Sequence, residues 1–276
     1  TGWAHGFNFA GRKFIYCHSP ARWLYLSDQY LGEKSTGPVP LLLKTLRPAL
    51  MLWDHWAAHR SAVYVANASV IKKRIENVYG KKDVPIFFPP HSVDTTAPVE
   101  PIPGLEEFTE SDDYFLIVSR LLPYKNVDKA IEACNELGKK LLVIGRGPEK
   151  ERLEALAGPT IRIASGVSDA QLRYAYRHCL ALLAISYEDF GITPLEAGAS
   201  GKAVIAYRAG GFLDTIQEGK TGMFINQPTV EQLVEALKAF NPDDWDADYI
   251  REHVDGFSEA RFISRLKMYV QALPED

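Results

Sequence analysis

The sequence predicts an α/β protein built on parallel β-sheet, with a complete second domain and an incomplete first one. Two observations carry this. From Tyr114 onward, short apolar runs alternate with stretches whose apolar residues recur at helical spacing. That is the pattern of strands joined by crossover helices. Over the first hundred residues only about half such a set of units is legible. Between the two lies Ala97-Pro-Val-Glu-Pro-Ile-Pro-Gly104, whose prolines favour an extended, semi-rigid linker. The expected organisation is a partial domain over 1–103, a complete one over 104–245, and a helical segment over 246–276.

In the first part, strands are expected at Phe14–Cys17, Ala62–Ala66 and Val84–Phe88, with helices over Leu41–Arg60 and Ser69–Tyr79. Asn67-Ala-Ser69 is formally a glycosylation sequon, but reads more simply as a turn with Ser69 capping the next helix. In the second part, strands are expected at Tyr114–Ser119, Lys140–Gly145, Thr160–Ala164, Ala181–Ser186 and Ala203–Tyr207. Val127, Ala130, Ile131, Cys134 and Leu137 mark one helix, and Leu172, Ala175, Tyr176 and Cys179 another. Pro148 opens a helix that Gly158-Pro159 closes, and Ser168 with Gln171 forms a capping box. Ser258–Ala272 carries Phe262, Leu266, Tyr269, Val270 and Leu273 as the stripe of an amphipathic helix.

Composition narrows the classes. With 46% hydrophobic and 24% charged residues, the chain can bury an ample globular core. A formal charge of −4 argues against general nucleic-acid binding. Cys17, Cys134 and Cys179 are too far apart for a metal ribbon, and their odd number does not suit a disulfide framework. No apolar run approaches the roughly 20 residues of a membrane-spanning helix, and no secretory leader pattern opens the chain. A reduced, cytoplasmic setting is expected.

The chemistry concentrates in Glu188-Asp-Phe-Gly-Ile-Thr-Pro-Leu-Glu196, two carboxylates astride a strand-to-helix turn. Thr193 is expected as N-cap and Pro194 at the first helical position. Glu188 then falls at the carboxyl end of a strand beside free helix amides, where open α/β sheets bind ligands. A carboxylate there suits sugar hydroxyls, and the amides suit a diphosphate. Glu196 has a second reading, as the acidic member of a capping box with Thr193. Arg120 and Lys125 follow the strand ending at Ser119, so both reach the same sheet edge; solvated surface is the plainer reading. His18 follows the strand ending at Cys17, and a structural histidine is its plainer reading. His55 and His59 have metal-like spacing, but Trp56 stands where a zinc-protease helix has glutamate, so they are taken as surface. Asp246-Ala-Asp248 follows no strand and is read as a loop.

The Glu188–Glu196 segment resembles the donor-binding signature of the retaining GT-B glycosyltransferases of family GT4. The similarity continues through Ala197-Gly-Ala-Ser-Gly-Lys-Ala-Val-Ile-Ala206 and Gly210-Gly211 to Gly219-Lys-Thr-Gly222. It also runs back to Val118-Ser-Arg-Leu-Leu-Pro-Tyr-Lys125 and Val143-Ile-Gly-Arg-Gly-Pro148. Tyr16-Cys-His-Ser-Pro-Ala-Arg22 and Ala66-Asn-Ala-Ser69 resemble the mannosyltransferase-type members. Departures are Lys202-Ala203, where many relatives have proline, and Asp214, where glutamate is common.

The resemblance implies a GT-B architecture of two Rossmann-like domains facing each other across a cleft, with the first one here incomplete. It implies a retaining, metal-independent glycosyltransferase with no cofactor, whose donor is a nucleotide-diphosphate hexose, GDP-mannose above all. His18 and Glu188 take the catalytic positions. Ser119, Arg120, Lys125, Gly145, Val167, Gly191, Ile192, Thr193, Leu195 and Glu196 take the donor-binding positions. The acceptor is expected to be a glycan, a lipid-linked glycan or a small glycoside, with peripheral contact at the inner membrane face. The last helix is expected to pack back on the first domain. The chain is also expected to be a fragment, its missing strands supplied by another polypeptide or lost, so that it binds donor but transfers poorly. Two rivals remain: a nucleotide-sugar-binding module without turnover, and an NAD-dependent oxidoreductase. The latter is disfavoured because Gly145-Arg-Gly147 lacks the third glycine of a dinucleotide loop.

Overall fold

The structure, a computed structural model, describes residues 4–7, 13–25, 38–60 and 62–273. The chain divides into two compact units, Thr1–Phe88 and Pro89–Asp276. The division falls before the proline-rich stretch, not after it, because that stretch is bonded to the second unit. Arg173 donates twice to Pro98 O, at 3.2 and 2.9 Å, and Ile102 is buried.

The first unit carries strands β1 (Lys13–Cys17) and β2 (Ala62–Ala66), paired in parallel from Lys13↔Ala62 to Cys17↔Ala66. Helix α1 (Pro38–His59) lies between them in sequence, and α2 (Ser69–Tyr79) follows β2. Two expectations fail here. Val84–Phe88 is no strand: only Ile86 bridges to Ala66, since Pro85 has no N–H to give a ladder. Ser69 does not cap α2; the cap position is Ala68, with no side-chain bond, and Ser69 is already helical. Asn67 is buried, so the sequon offers no surface for a glycan.

This unit has a polar core that the sequence does not announce. Asp54, fully buried on α1, accepts from Tyr25 Oη at 2.7 Å and Tyr79 Oη at 2.9 Å. His5 Nε2 lies 3.0 Å from its other oxygen, and Tyr64 Oη meets His5 Nδ1 at 2.8 Å. The two phenol hydroxyls solvate one oxygen of this buried carboxylate, while the other makes no hydrogen bond among the described residues.

The second unit is a six-stranded parallel sheet in the order β5-β4-β3-β6-β7-β8. Its strands are β3 (Tyr114–Val118), β4 (Lys140–Ile144), β5 (Ile161–Ala164), β6 (Leu182–Ala184), β7 (Val204–Tyr207) and β8 (Gly222–Ile225). Five of the six lie where the apolar runs predict them. β8 was not expected, being four residues long and glycine-led. Both faces are covered, which is why the strands read as unbroken apolar runs. Phe115, Ile117, Val143, Leu183 and Ile205 face α3 (Val127–Leu137) and α7 (Val230–Ala239). Leu116, Leu142, Leu182, Val204 and Ala206 face α5 (Asp169–His178) and α6 (Thr193–Ala199). Helix α4 (Lys150–Leu156) links β4 to β5, starting two residues after Pro148. Helix α8 (Ala247–Asp255) buries Ile250 and Val254 and packs on α6. The last helix, α9 (Glu259–Gln271), keeps its expected bounds closely but has no fully buried residue. Among the described residues no helix is long and apolar enough to cross a membrane.

The capping box of α5 forms as expected. Gln171 N donates to Ser168 Oγ at 3.2 Å, and Ser168 N donates to Gln171 Oε1 at 2.9 Å. Ser168→Ala is therefore expected to lower stability by about 1 kcal/mol in urea unfolding. An unchanged midpoint would show that the box contributes nothing.

Candidate functional site

The strand order reverses between β3 and β6, and there the two strands part. They share one register pair, Leu116 with Leu182. Beyond it, residues 117–119 and 183–186 line a cavity of about 110 Å³ instead of pairing. Crevices at such switch points, outside the carboxyl ends of strands, are where open parallel sheets hold ligands. Small-molecule pockets usually reach about 300 Å³ or more, so this cavity fits only part of a larger ligand.

The backbone freed by the parting is partly satisfied by Asn126. Its Nδ2 donates to Ile185 O at 2.9 Å. Asn126 has the left-handed φ of 56° and ends the short 3₁₀ turn Pro123–Lys125. The loop bearing Lys125 is thus fastened to the end of β6.

Lys125 and Glu188 meet at this cavity, which both line. Lys125 Nζ is paired with Glu188 Oε1, which also accepts from Ser186 Oγ at 2.8 Å. The two side chains are only 12% and 26% exposed, so the pair is better shielded than a surface ion pair. Ser119 lines the same cavity, and its Oγ is buried without a partner among the described residues. A buried unpaired hydroxyl costs about 1–3 kcal/mol, which makes it a ready donor to whatever enters.

Glu188 is placed by a glycine pair. Gly211 N donates to Glu188 O at 2.9 Å. A Cβ at Gly211 would lie 2.2 Å from Phe190 Cα, and one at Gly210 2.0 Å from Glu188 O. Only glycine lets the two backbones approach this closely. Gly145 serves the sheet in the same way, since its Cβ would fall 1.9 Å from Ser119 O.

One reading of the signature is corrected. Thr193 is not the N-cap of α6; Ile192 holds that position, already helical at φ −83° and ψ −31°, with no side-chain cap bond. Thr193 is therefore inside the first turn, and no capping box with Glu196 forms. Glu196 Oε2 instead accepts from Tyr176 Oη on α5 at 2.6 Å. Burial pushes its carboxyl above the ordinary carboxylate value, and the tyrosine bond, which favours the ionised form, works against that.

Of the donor positions, Ser119, Lys125, Gly191, Ile192 and Thr193 share the cavity with Glu188. Leu195 is fully buried, and Val167 packs against the core beside α5. Arg120 is exposed off the cavity, where its guanidinium donates to Tyr124 Oη at 3.2 Å. His18 belongs to the first unit. Asn67 Nδ2 stands 3.2 Å from its Nδ1. Desolvation holds the His18 pKa below its usual value.

Sequence reasoning missed Tyr124, Asn126 and Tyr176. The turn chemistry of Pro-Tyr-Lys-Asn could have flagged Asn126, because asparagine tolerates the left-handed region. Tyr176 gave no such signal, being one apolar position among four on its helix.

Residues 101–254 match the family model described as glycosyl transferases group 1. This chain belongs to that family. A glycogen synthase of Pseudomonas syringae pv. syringae is 33% identical over 133 residues, 45% of this chain and 27% of that enzyme. A GDP-mannose-dependent α-(1-6)-phosphatidylinositol monomannoside mannosyltransferase of Mycobacterium tuberculosis is 30% identical over 138 residues, 44% of this chain and 36% of that one. The matches thus span between a quarter and two-fifths of the length of these curated relatives. In fold, a sucrose-phosphate synthase from Thermosynechococcus elongatus superposes with a TM-score of 0.75, at 17% identity, over 98% of this chain and 70% of that one. Anabaena Alr3699/HepE in complex with UDP-glucose does so at 0.67, with 16% identity, over 82% and 68%. The expected α/β class with parallel sheets and GT-B neighbours is borne out.

Proposed function

We propose that this chain is the donor-binding part of a retaining glycosyltransferase that moves a hexose from a nucleotide-diphosphate sugar. The observation that carries the reading is the convergence of Lys125, Glu188 and the unpartnered Ser119 hydroxyl on one cavity at the switch point. In the ligand-free chain Glu188 neutralises Lys125. Donor binding exchanges that pair: the phosphate takes the ammonium, and a sugar hydroxyl donates to the released carboxylate. As the glycosidic bond breaks, charge grows on the diphosphate, and a cation fixed in a shielded site stabilises it. Arg120 adds a second cation from the strand end. The amides of Gly191 to Thr193 complete the lining, and His18 keeps the catalytic role that the family resemblance implies.

Within this reading the donor is GDP-mannose, a choice supported by the GDP-mannose-dependent relative. UDP-glucose, found in the Alr3699/HepE complex, is the competing donor. Transfer needs no metal, the acceptor is a glycan, lipid-linked glycan or small glycoside, and the enzyme works at the cytoplasmic face of a membrane. Thermal shift with GDP, GDP-mannose, UDP, UDP-glucose and NAD tests the first step, and sugar transfer or donor hydrolysis tests turnover. Stabilisation by GDP-mannose above the others, with release of GDP insensitive to chelator, is expected. Stabilisation by NAD alone would overturn the reading, and binding without turnover would leave a nucleotide-sugar-binding module.

A further inference from the structure

Lys125 is held at the cavity by two links, and donor binding in the reading above removes one of them. The first is its ion pair with Glu188. The second comes from the next residue, since Asn126 Nδ2 donates to Ile185 O at 2.9 Å. Two consecutive residues of one loop thus reach two points on the segment that carries Glu188. Asn126 stands at the N-cap of α3, where an asparagine ordinarily bonds its own helix, yet it makes no such bond. Its backbone lies at φ 56° and ψ 27°, a region that glycine reaches with no steric cost. The dihedral alone would favour glycine, and the cap goes unused; the distinctive use of this amide is the bond across the seam. Ile185 is a firm anchor for it, being 2% exposed, packed in the core and part of the cavity lining. The next residue, Ser186, holds Glu188 through its hydroxyl. On the near side the turn is closed by Lys125 N to Leu122 O at 2.9 Å and Asn126 N to Pro123 O at 3.2 Å. The backbone of Lys125 is therefore fixed on both sides of the side chain that meets the phosphate.

We propose that Asn126 is a positioning residue for the diphosphate, its amide holding Lys125 at the switch point once the donor has taken the ammonium from Glu188. This rests on the donor-binding reading above and adds the residue that keeps its cation in place. Asn126 touches no ligand and acts only through Lys125. In the free chain the ion pair keeps the two loops together with or without the amide. In the complex that pair is exchanged, and the bond to Ile185 O remains the link between the loops. Loss of the amide is therefore felt mainly in the bound state.

The test uses the full chain with GDP and guanosine, by calorimetry, with UDP and uridine in parallel. Asn126→Gly removes the amide and keeps the left-handed backbone. It should bind the diphosphate about tenfold more weakly, the scale of one hydrogen bond, and the nucleoside as before. In a Lys125→Ala background the same substitution should leave diphosphate affinity within about twofold, because the amide then has no cation to place. An Asn126→Gly chain that keeps full diphosphate affinity overturns the proposal. So does equal weakening of both ligands, the mark of a merely structural amide, and so does the same loss persisting without Lys125. Each of these, with diphosphate still bound by the unsubstituted chain, leaves the donor-binding reading intact. Binding of no diphosphate by the unsubstituted chain removes both. Should Asn126→Gly fail to fold, the unsubstituted chain labelled with ¹⁵N at asparagine decides the matter. The Asn126 side-chain amide protons should stay protected from solvent exchange when GDP or UDP binds, and their release on binding overturns the proposal.

Discussion

Lys125→Ala is expected to lower sugar transfer by about 10²–10³-fold, the usual loss when one fixed electrostatic contact to a developing charge is removed. The same substitution should weaken diphosphate binding far more than nucleoside binding, because only the diphosphate is anionic. The folded state should tolerate the change. Glu188 loses its ammonium partner but keeps the Ser186 hydroxyl at 2.8 Å, and it is open enough to gain water. Lys125→Arg should rescue little, because a planar fork does not replace a compact ammonium seated on one carboxylate oxygen. Calorimetry with GDP and guanosine, beside a transfer assay, decides the matter. Equal losses for both ligands would remove Lys125 from the phosphates.

Gly211→Ala is expected to be strongly damaging for a single methyl, costing about 3 kcal/mol or more. Its Cβ would sit 2.2 Å from Phe190 Cα and 2.5 Å from Phe190 O, and no rotamer change relieves a collision between backbones. Gly219→Ala is the control. Its φ of +73° strains any side chain, yet nothing lies within 4 Å of the added methyl. Strain alone should cost about 1–2 kcal/mol there. Denaturant midpoints for the two variants separate the causes. If Gly211→Ala costs no more than Gly219→Ala, close approach is not what the glycine pair provides.

The sheet of the second unit was legible because both its faces are buried, which writes each strand as a plain apolar run such as Tyr114–Val118 or Val204–Tyr207. β8 escaped because Gly222-Met-Phe-Ile opens on a glycine and leaves only three apolar residues to mark the strand. Val84–Phe88 misled in the opposite direction, since apolar content outweighed the missing donor of Pro85. At the site, residue types and spacing indicated Lys125 and Glu188 but not that they pair, because the contact joins two loops distant in sequence. The Thr193 cap failed on a single dihedral: Ile192 is already helical. Local spacing cannot tell whether a turn closes one residue early, and that one residue redirects Glu196 from a cap to Tyr176.

The seam at Leu116 and Leu182 also sets an order on how the molecule can come together. β3, β4 and β5 follow one another in sequence, as do β6, β7 and β8, so each half of the sheet assembles from neighbouring segments. Joining the halves requires closing the long loop between β3 and β6, and the entropy of that closure is met by few backbone contacts at the seam itself. Long-range pairings of this kind are the slow ones. The carboxylate loop and the lysine loop lie on opposite halves, so their pairing depends on the two halves having joined. Binding competence is thus expected to appear with that closure, and nucleotide binding that develops in refolding ahead of the slow phase would show otherwise.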